Sequence, residues 1–157
     1  MTILDSKKRI IVTGGNGRFA QVLKKENKKF NILFPSKKNF NILKIDSMRK
    51  YIKKNKPKYI LHCAGLSRPM NLHVKDISKS INLNIIGTAN VVNVCNEFNI
   101  KLIYFSTGYV YEGKRGNYKE KDPLLPINNY AWSKLGGECS VVLYKKSLIL
   151  RIIMCER

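Results

Sequence analysis

Short apolar, β-branched runs alternate with stretches of helical spacing along this chain, and that alternation narrows the possible folds more than any other feature. Residues 9–12, 30–34, 59–64, 101–106 and 147–153 read as strands, the second ended by Pro35. Between them, residues 17–27 place Phe19, Ala20 and Leu23 on one helical face, and residues 47–55 do the same with Met48, Tyr51 and Ile52. Residues 76–98 predict one long helix with Ile77, Ile81, Ile85, Ala89 and Val92 on a shared face, and residues 129–143 predict another. The stretch 109–129, rich in Gly, Pro, Asn and charge, predicts a loop. Strands that are apolar almost throughout are covered on both faces, and strand–helix alternation makes them parallel. The expected architecture is therefore α/β, a doubly wound parallel sheet with helices on both faces. The 157 residues show no internal repeat or low-complexity linker and fill one domain, residues 1–157.

In such sheets ligands bind beyond the carboxyl ends of the strands. The first of these ends reads IIVTGGNGRFA, a strand, a glycine turn and the start of a helix. Gly14, Gly17 and Ala20 follow the pattern G-x-x-G-x-x-[GA], with Gly15 as a further glycine. One glycine permits a sharp turn at positive φ, another lets backbone approach a pyrophosphate, and the small third residue lets helix and strand pack closely. The helix N-terminus adds unpaired N–H groups and a positive dipole end. Gly14, Gly15, Asn16, Gly17, Arg18 and Phe19 are thus the expected phosphate cradle of a Rossmann-type dinucleotide site. The turn lacks G-K-[ST], which excludes a P-loop. A site for NAD places Asp or Glu about 20 residues on, for the ribose 2′-hydroxyl. Residues 27–45 hold no carboxylate, and the second strand is followed by Ser36, Lys37 and Lys38. A hydroxyl and two ammonium groups suit a 2′-phosphate, so NADP is the expected cofactor, with NAD as the alternative.

The third strand ends in Cys63, Ala64 and Gly65, small residues that let backbone lie against a cofactor. The fourth ends in the hydroxyls of Ser106 and Thr107, where a nicotinamide would sit. Next comes NNYAWSKLGGE, with Tyr130 four residues ahead of Lys134 on a helix, so that both share a face. A cation beside a phenol favours phenolate and lowers a pKa that is otherwise near 10. Tyr130 so tuned can exchange a proton with a carbonyl or alcohol oxygen. Thr107 can bond the same oxygen, and Lys134 the nicotinamide ribose. Thr107, Tyr130 and Lys134 are the expected catalytic set, with Tyr130 and Lys134 also touching cofactor.

Other features point away from competing classes. The formal net charge of +20 raises nucleic-acid binding, but the lysines are scattered along a Lys-, Asn- and Ile-rich chain without interleaved aromatics. No specific nucleic-acid partner is expected. Cys63, Cys95, Cys139 and Cys155 lie far apart, with neither a C-x-x-C nor a Cys/His cluster, so no metal is expected. His62 sits in an apolar run and reads as a packed histidine; His73 has no partner spacing. No apolar run approaches the roughly 20 residues of a membrane span, and no leader is seen at the start, so the expected location is cytoplasmic, off the membrane.

Taken together the motifs resemble the extended short-chain dehydrogenase/reductase family over nearly the whole chain. TGGNGRFA resembles its cofactor turn, PKYILHCAG its third strand and NIIGTANVVNVC its N-x-x-G-T helix. STGYVYEG and NNYAWSKLGGE resemble segments of the dTDP-4-dehydrorhamnose reductases within that family. By that likeness Thr107, Tyr130 and Lys134 fall on catalytic positions. The implied activity is NADP-dependent reduction of a 4-keto-sugar nucleotide. Gly108 stands where those reductases have Asp, and Asn41 where an Asp often lies near the adenine. Family members continue into a smaller substrate domain. The likeness therefore implies a fragment, completed by a C-terminal domain or a second subunit, with a homo-oligomer as a further possibility. It extends also to a regulatory subunit of methionine adenosyltransferase, which implies as the alternative a non-catalytic dinucleotide-binding or regulatory module.

Overall fold

The protein is described over residues 8–153 by a computed structural model. The opening segment before Lys8 and Cys155 lie outside the described residues. Five strands form one wholly parallel sheet in the order β2-β1-β3-β4-β5. They are β1 (Ile10–Thr13), β2 (Ile32–Leu33), β3 (Tyr59–His62), β4 (Lys101–Thr107) and β5 (Ser147–Ile152). The helices are α1 (Arg18–Glu26), α2 (Ile45–Asn55), α3 (Leu72–Lys75), α4 (Ile77–Ser80), α5 (Gly87–Glu97) and α6 (Asn129–Val142).

Alternate strand residues feed two cores, as the period of two requires. Ile11, Ile60, Leu102 and Tyr104 face α2, α5 and α6 through Met48, Ile52, Val91, Val94 and Val141. Ile10, Val12, Tyr59, Leu61 and Ile103 face the other way, onto Ala20 and Leu23 of α1. The expected helices on both faces are present.

Two elements differ from expectation for local reasons. β2 has two residues instead of five, because Phe30 is held in a turn by the Asn27 side chain, which bonds both its N–H (3.0 Å) and its carbonyl (2.8 Å). The long helix expected over 76–98 is α4, a π-helical turn at Ile81–Ile86, and α5. Asp76 caps its start by accepting from the Lys79 N–H at 2.9 Å. The π turn carries one extra residue without breaking the helix, a geometry that apolar spacing does not reveal. It turns Asn84 into the interior.

Candidate active site at the carboxyl ends of the strands

Gly14 has φ +71°, which an L side chain rarely adopts, and a Cβ there would lie 3.0 Å from Ala64 Cα. At Gly15 a Cβ would meet the Phe34 carbonyl carbon and the Pro35 oxygen, both at 2.8 Å. The two glycines therefore let the ends of β1, β2 and β3 close on one another. The Gly17 N–H donates to the Gly14 carbonyl at 2.7 Å and closes the turn. Gly17 then opens α1 with no side-chain cap, so the first N–H groups of that helix point outward as donors for an anion. Asn16, Gly17 and Arg18 are exposed beside them, while Phe19 packs on Phe105 with ring centroids 5.0 Å apart. Ser36, half-buried, begins a turn whose Lys37 and Lys38 project into solvent. Cys63 and Ala64 are half-buried and Gly65 is exposed at the end of β3. Glycine backbone, uncapped N–H groups and cations with no carboxylate between residues 27 and 45 are a donor set that fits a phosphorylated dinucleotide.

Beneath this rim lies a buried polar lattice that sequence reasoning missed. Thr13 Oγ1 accepts from the N–H groups of Cys63 (3.1 Å) and Ala64 (3.0 Å) and sits 2.8 Å from His62 Nδ1. His62 Nε2 lies 3.1 Å from Thr88 Oγ1, which donates to the Asn84 carbonyl at 2.8 Å. One set of roles satisfies all of these groups: Thr13 donates to Nδ1, and Nε2–H donates to Thr88. His62 is thus the neutral, packed histidine that its apolar run predicts. Burial drives its pKa down to about 3, with the Lys134 charge adding to the effect.

Asn84 is the centre of the lattice. Its Oδ1 accepts from the Leu66 N–H at 2.7 Å, and its Nδ2 donates to the Leu66 carbonyl and to Ser133 Oγ, each at 2.8 Å. Ser133 in turn donates to the Tyr130 carbonyl at 2.7 Å. The loop after β3 and the first turn of α6 are thereby tied to one buried amide. Asn128 caps α6 by accepting from the Ala131 N–H at 2.8 Å.

Thr107, at the end of β4, is buried, and its hydroxyl acts on the half-buried Tyr130 phenol. Burial raises the Tyr130 pKa, and the Thr107 hydroxyl beside it opposes the rise. Lys134 is 7% exposed, with its ammonium 4.1 Å from the centre of the Tyr104 ring. Its pKa falls to about 7, chiefly by burial, against the opposing influence of Cys63 and Glu138. This corrects the expected tuning. Burial acts on both groups: it removes part of the Lys134 charge near neutral pH and keeps the Tyr130 phenol protonated, and Thr107 supplies the influence that favours ionisation.

His73, although without partner spacing in the sequence, sits against Tyr130 with ring centroids 5.2 Å apart and pairs with Ser80 Oγ at 2.8 Å. His73 Nε2 and the Ser106 hydroxyl, the latter expected beside the nicotinamide, are buried without hydrogen-bond partners. Glu138, one turn beyond Lys134, is buried against Arg151 of β5 at 2.8 Å. Arg151 also donates to Tyr111 Oη (2.8 Å) and to the Glu120 carbonyl (3.2 Å), fastening the loop after β4 over the site. Among the described residues no three or more His, Cys, Asp and Glu side chains gather as a metal site, and no helix is long and apolar enough to cross a membrane.

Comparison with known proteins gives concordant results. The family described as the RmlD substrate binding domain matches residues 8–154. A methionine adenosyltransferase 2 subunit beta of Danio rerio is 31% identical over 144 residues, covering 86% of this chain and 44% of that protein. A dTDP-4-dehydrorhamnose reductase of Aggregatibacter actinomycetemcomitans is 28% identical over 148 residues, covering 91% of this chain and 50% of that one. The crystal structure of the dTDP-4-dehydrorhamnose reductase of Bacillus anthracis in complex with NADP superposes with a TM-score of 0.84 at 31% identity, covering 94% of this chain and 54% of that one. The chain thus spans about half the length of the relatives it matches.

Proposed function

We propose, from the premise that the chain belongs to the RmlD substrate binding domain family, that it is the NADP-binding part of a reductase acting on a 4-keto-sugar nucleotide. The observation that carries this reading is the meeting of Thr107 and Tyr130 at the carboxyl edge of the sheet, with Lys134 one helical turn beyond Tyr130. The NADP-bound reductase of Bacillus anthracis supports it. Gly14, Gly15, Asn16, Gly17, Arg18 and Phe19 would hold the pyrophosphate; Ser36, Lys37 and Lys38 the 2′-phosphate; and Cys63, Ala64 and Gly65 the backbone wall. When bound, the nicotinamide supplies a hydride for the keto carbon.

Reduction also needs an acid at the keto oxygen, and a buried, protonated phenol is one. Tyr130 donates its proton to that oxygen, and Thr107 stabilises both the oxygen and the phenolate left behind. Lys134, near the midpoint of its titration at neutral pH, becomes charged when an anion arrives beside it and orients the ribose. The relatives are about twice as long as this chain. We assign residues 1–157 to the dinucleotide-binding domain, and the nucleotide end of the substrate to a further domain or second subunit. The location we propose with this reading is cytoplasmic.

The test is a fluorescence titration with NADPH and NADH, followed by NADPH oxidation with a dTDP-4-dehydro-6-deoxy sugar. NADPH should bind more tightly than NADH, and Lys37→Glu/Lys38→Glu should abolish the difference. Failure to bind either nucleotide would remove the site. The identity to methionine adenosyltransferase 2 subunit beta supports a second reading, a regulatory module that binds dinucleotide without turnover. Turnover that Tyr130→Phe abolishes would exclude it.

A further inference from the structure

The lysines that are scattered in sequence are not all scattered in space. Lys8, Lys58, Lys101 and Lys146 lie just before or at the start of β1, β3, β4 and β5, four adjacent strands. The backbone links these starting points directly. The Lys101 N–H donates to the Lys58 carbonyl at 3.0 Å, and the Leu102 N–H donates to the Lys146 carbonyl at 2.9 Å. All four side chains line one open depression with Tyr59 and Asn99, and among the described residues that line it there is no carboxylate. Gly14, Gly65 and Thr107 are at the opposite, carboxyl edge of the same sheet.

We infer that this depression binds a linear condensed-phosphate anion of the tripolyphosphate kind. Neighbouring parallel strands are about 4.8 Å apart, so four starting points span about 14 Å. A row of that length matches a chain of phosphates rather than a single ion. The C-terminal ends of α2, α5 and α6 reach this edge, and each offers about half a negative charge, against the three ammonium groups of Lys58, Lys101 and Lys146. The polar side chains present are suited to phosphate oxygens. Lys146 donates to the Asn99 side chain, which holds that ammonium at the rim. Lys101 lies over the Tyr59 ring, 5.9 Å from its centre. Tyr59 is buried against the sheet and is the only aromatic ring among the described residues of the lining, so they offer no platform on which successive bases would stack. This favours condensed phosphate over single-stranded nucleic acid.

The experiment is calorimetric titration of the chain with tripolyphosphate and with orthophosphate, at 50 and 200 mM salt. Tripolyphosphate should bind at least tenfold more tightly than orthophosphate, with an affinity that falls as salt rises. Lys101→Glu/Lys146→Glu should weaken it at least tenfold, and the milder Lys101→Gln/Lys146→Gln should weaken it in the same direction. The control Lys114→Glu/Lys121→Glu, with the same charge change in the loop after β4, should alter it less than twofold. Saturating NADP should leave the affinity within twofold. Equal losses in the rim and control variants would reduce the effect to net charge and overturn the proposal. So would displacement by NADP, equal binding of orthophosphate, or tighter binding of oligo-dT lost in the same rim variants. None of these outcomes depends on whether the reductase reading stands.

Discussion

Asn84→Ala tests how the active-site edge is held. The substitution removes three hydrogen bonds of 2.7–2.8 Å from a residue that is 1% exposed. Two of the abandoned partners are the N–H and carbonyl of Leu66, itself buried. A buried polar group left unpaired costs about 1–3 kcal/mol, so the two backbone groups together should destabilise the fold by about 2–6 kcal/mol. For a domain of this size each kcal/mol lowers Tm by about 2–4 °C, and a loss of roughly 8–16 °C is expected for a mid-range effect of about 4 kcal/mol. The comparison variant is Asn90→Ala, which removes one bond of 2.9 Å, to the Ile42 carbonyl, from a half-buried side chain. It should cost about 1 kcal/mol. Urea denaturation of both variants gives the stabilities, and NADPH titration reports on the site. Since Asn84 reaches Tyr130 through Ser133, its loss should also weaken cofactor binding more than Asn90→Ala does. If Asn84→Ala lost no more stability than Asn90→Ala, the lattice would not be what holds the loop after β3 to α6.

Gly15→Ala should destabilise by about 2 kcal/mol or more and impair NADPH binding, because its Cβ would meet backbone at 2.8 Å; Gly116→Ala, in open space, should stay within about 0.5 kcal/mol. His62 is held neutral down to a pKa of about 3, below its ordinary 6.5. The unfolded chain therefore binds the extra proton, and stability should fall as pH drops from 6.5 toward 3, by up to about 4–5 kcal/mol. Urea midpoints across that window should flatten in His62→Gln. Lys134 is likewise depressed, from 10.5 to about 7, so its penalty on the fold is full below pH 7 and disappears as pH rises to 10.5. Lys134→Met should consequently raise the urea midpoint at pH 7 while weakening NADPH binding; a lower midpoint would show that the ammonium over Tyr104 is net stabilising.

What the sequence by itself determined was local. The glycine turn, the five strands, the start of α6 and the i, i+4 placement of Tyr130 and Lys134 each depend on spacing within a few residues, where backbone preferences and apolar period act. The parallel sheet followed because buried strands joined by helices have few other arrangements. The tertiary structure decided what joins distant segments. Thr13, His62, Thr88 and Asn84 complete one another's hydrogen bonds across separations of 4 to 49 residues. No residue type or spacing in the sequence marks such a lattice, because each partner is an ordinary polar residue until burial forbids it water. The charge states were decided there as well. A Tyr four residues before a Lys implies a cation that lowers a phenol's pKa, but burial acts on both groups, partly discharging Lys134 near neutral pH and keeping Tyr130 protonated. Arg151 and Glu138 read as two surface charges until β5 and α6 pack and remove them from water. The row of lysines beneath the sheet has the same origin: residues 43 to 50 positions apart in the chain become neighbours because parallel strands start side by side.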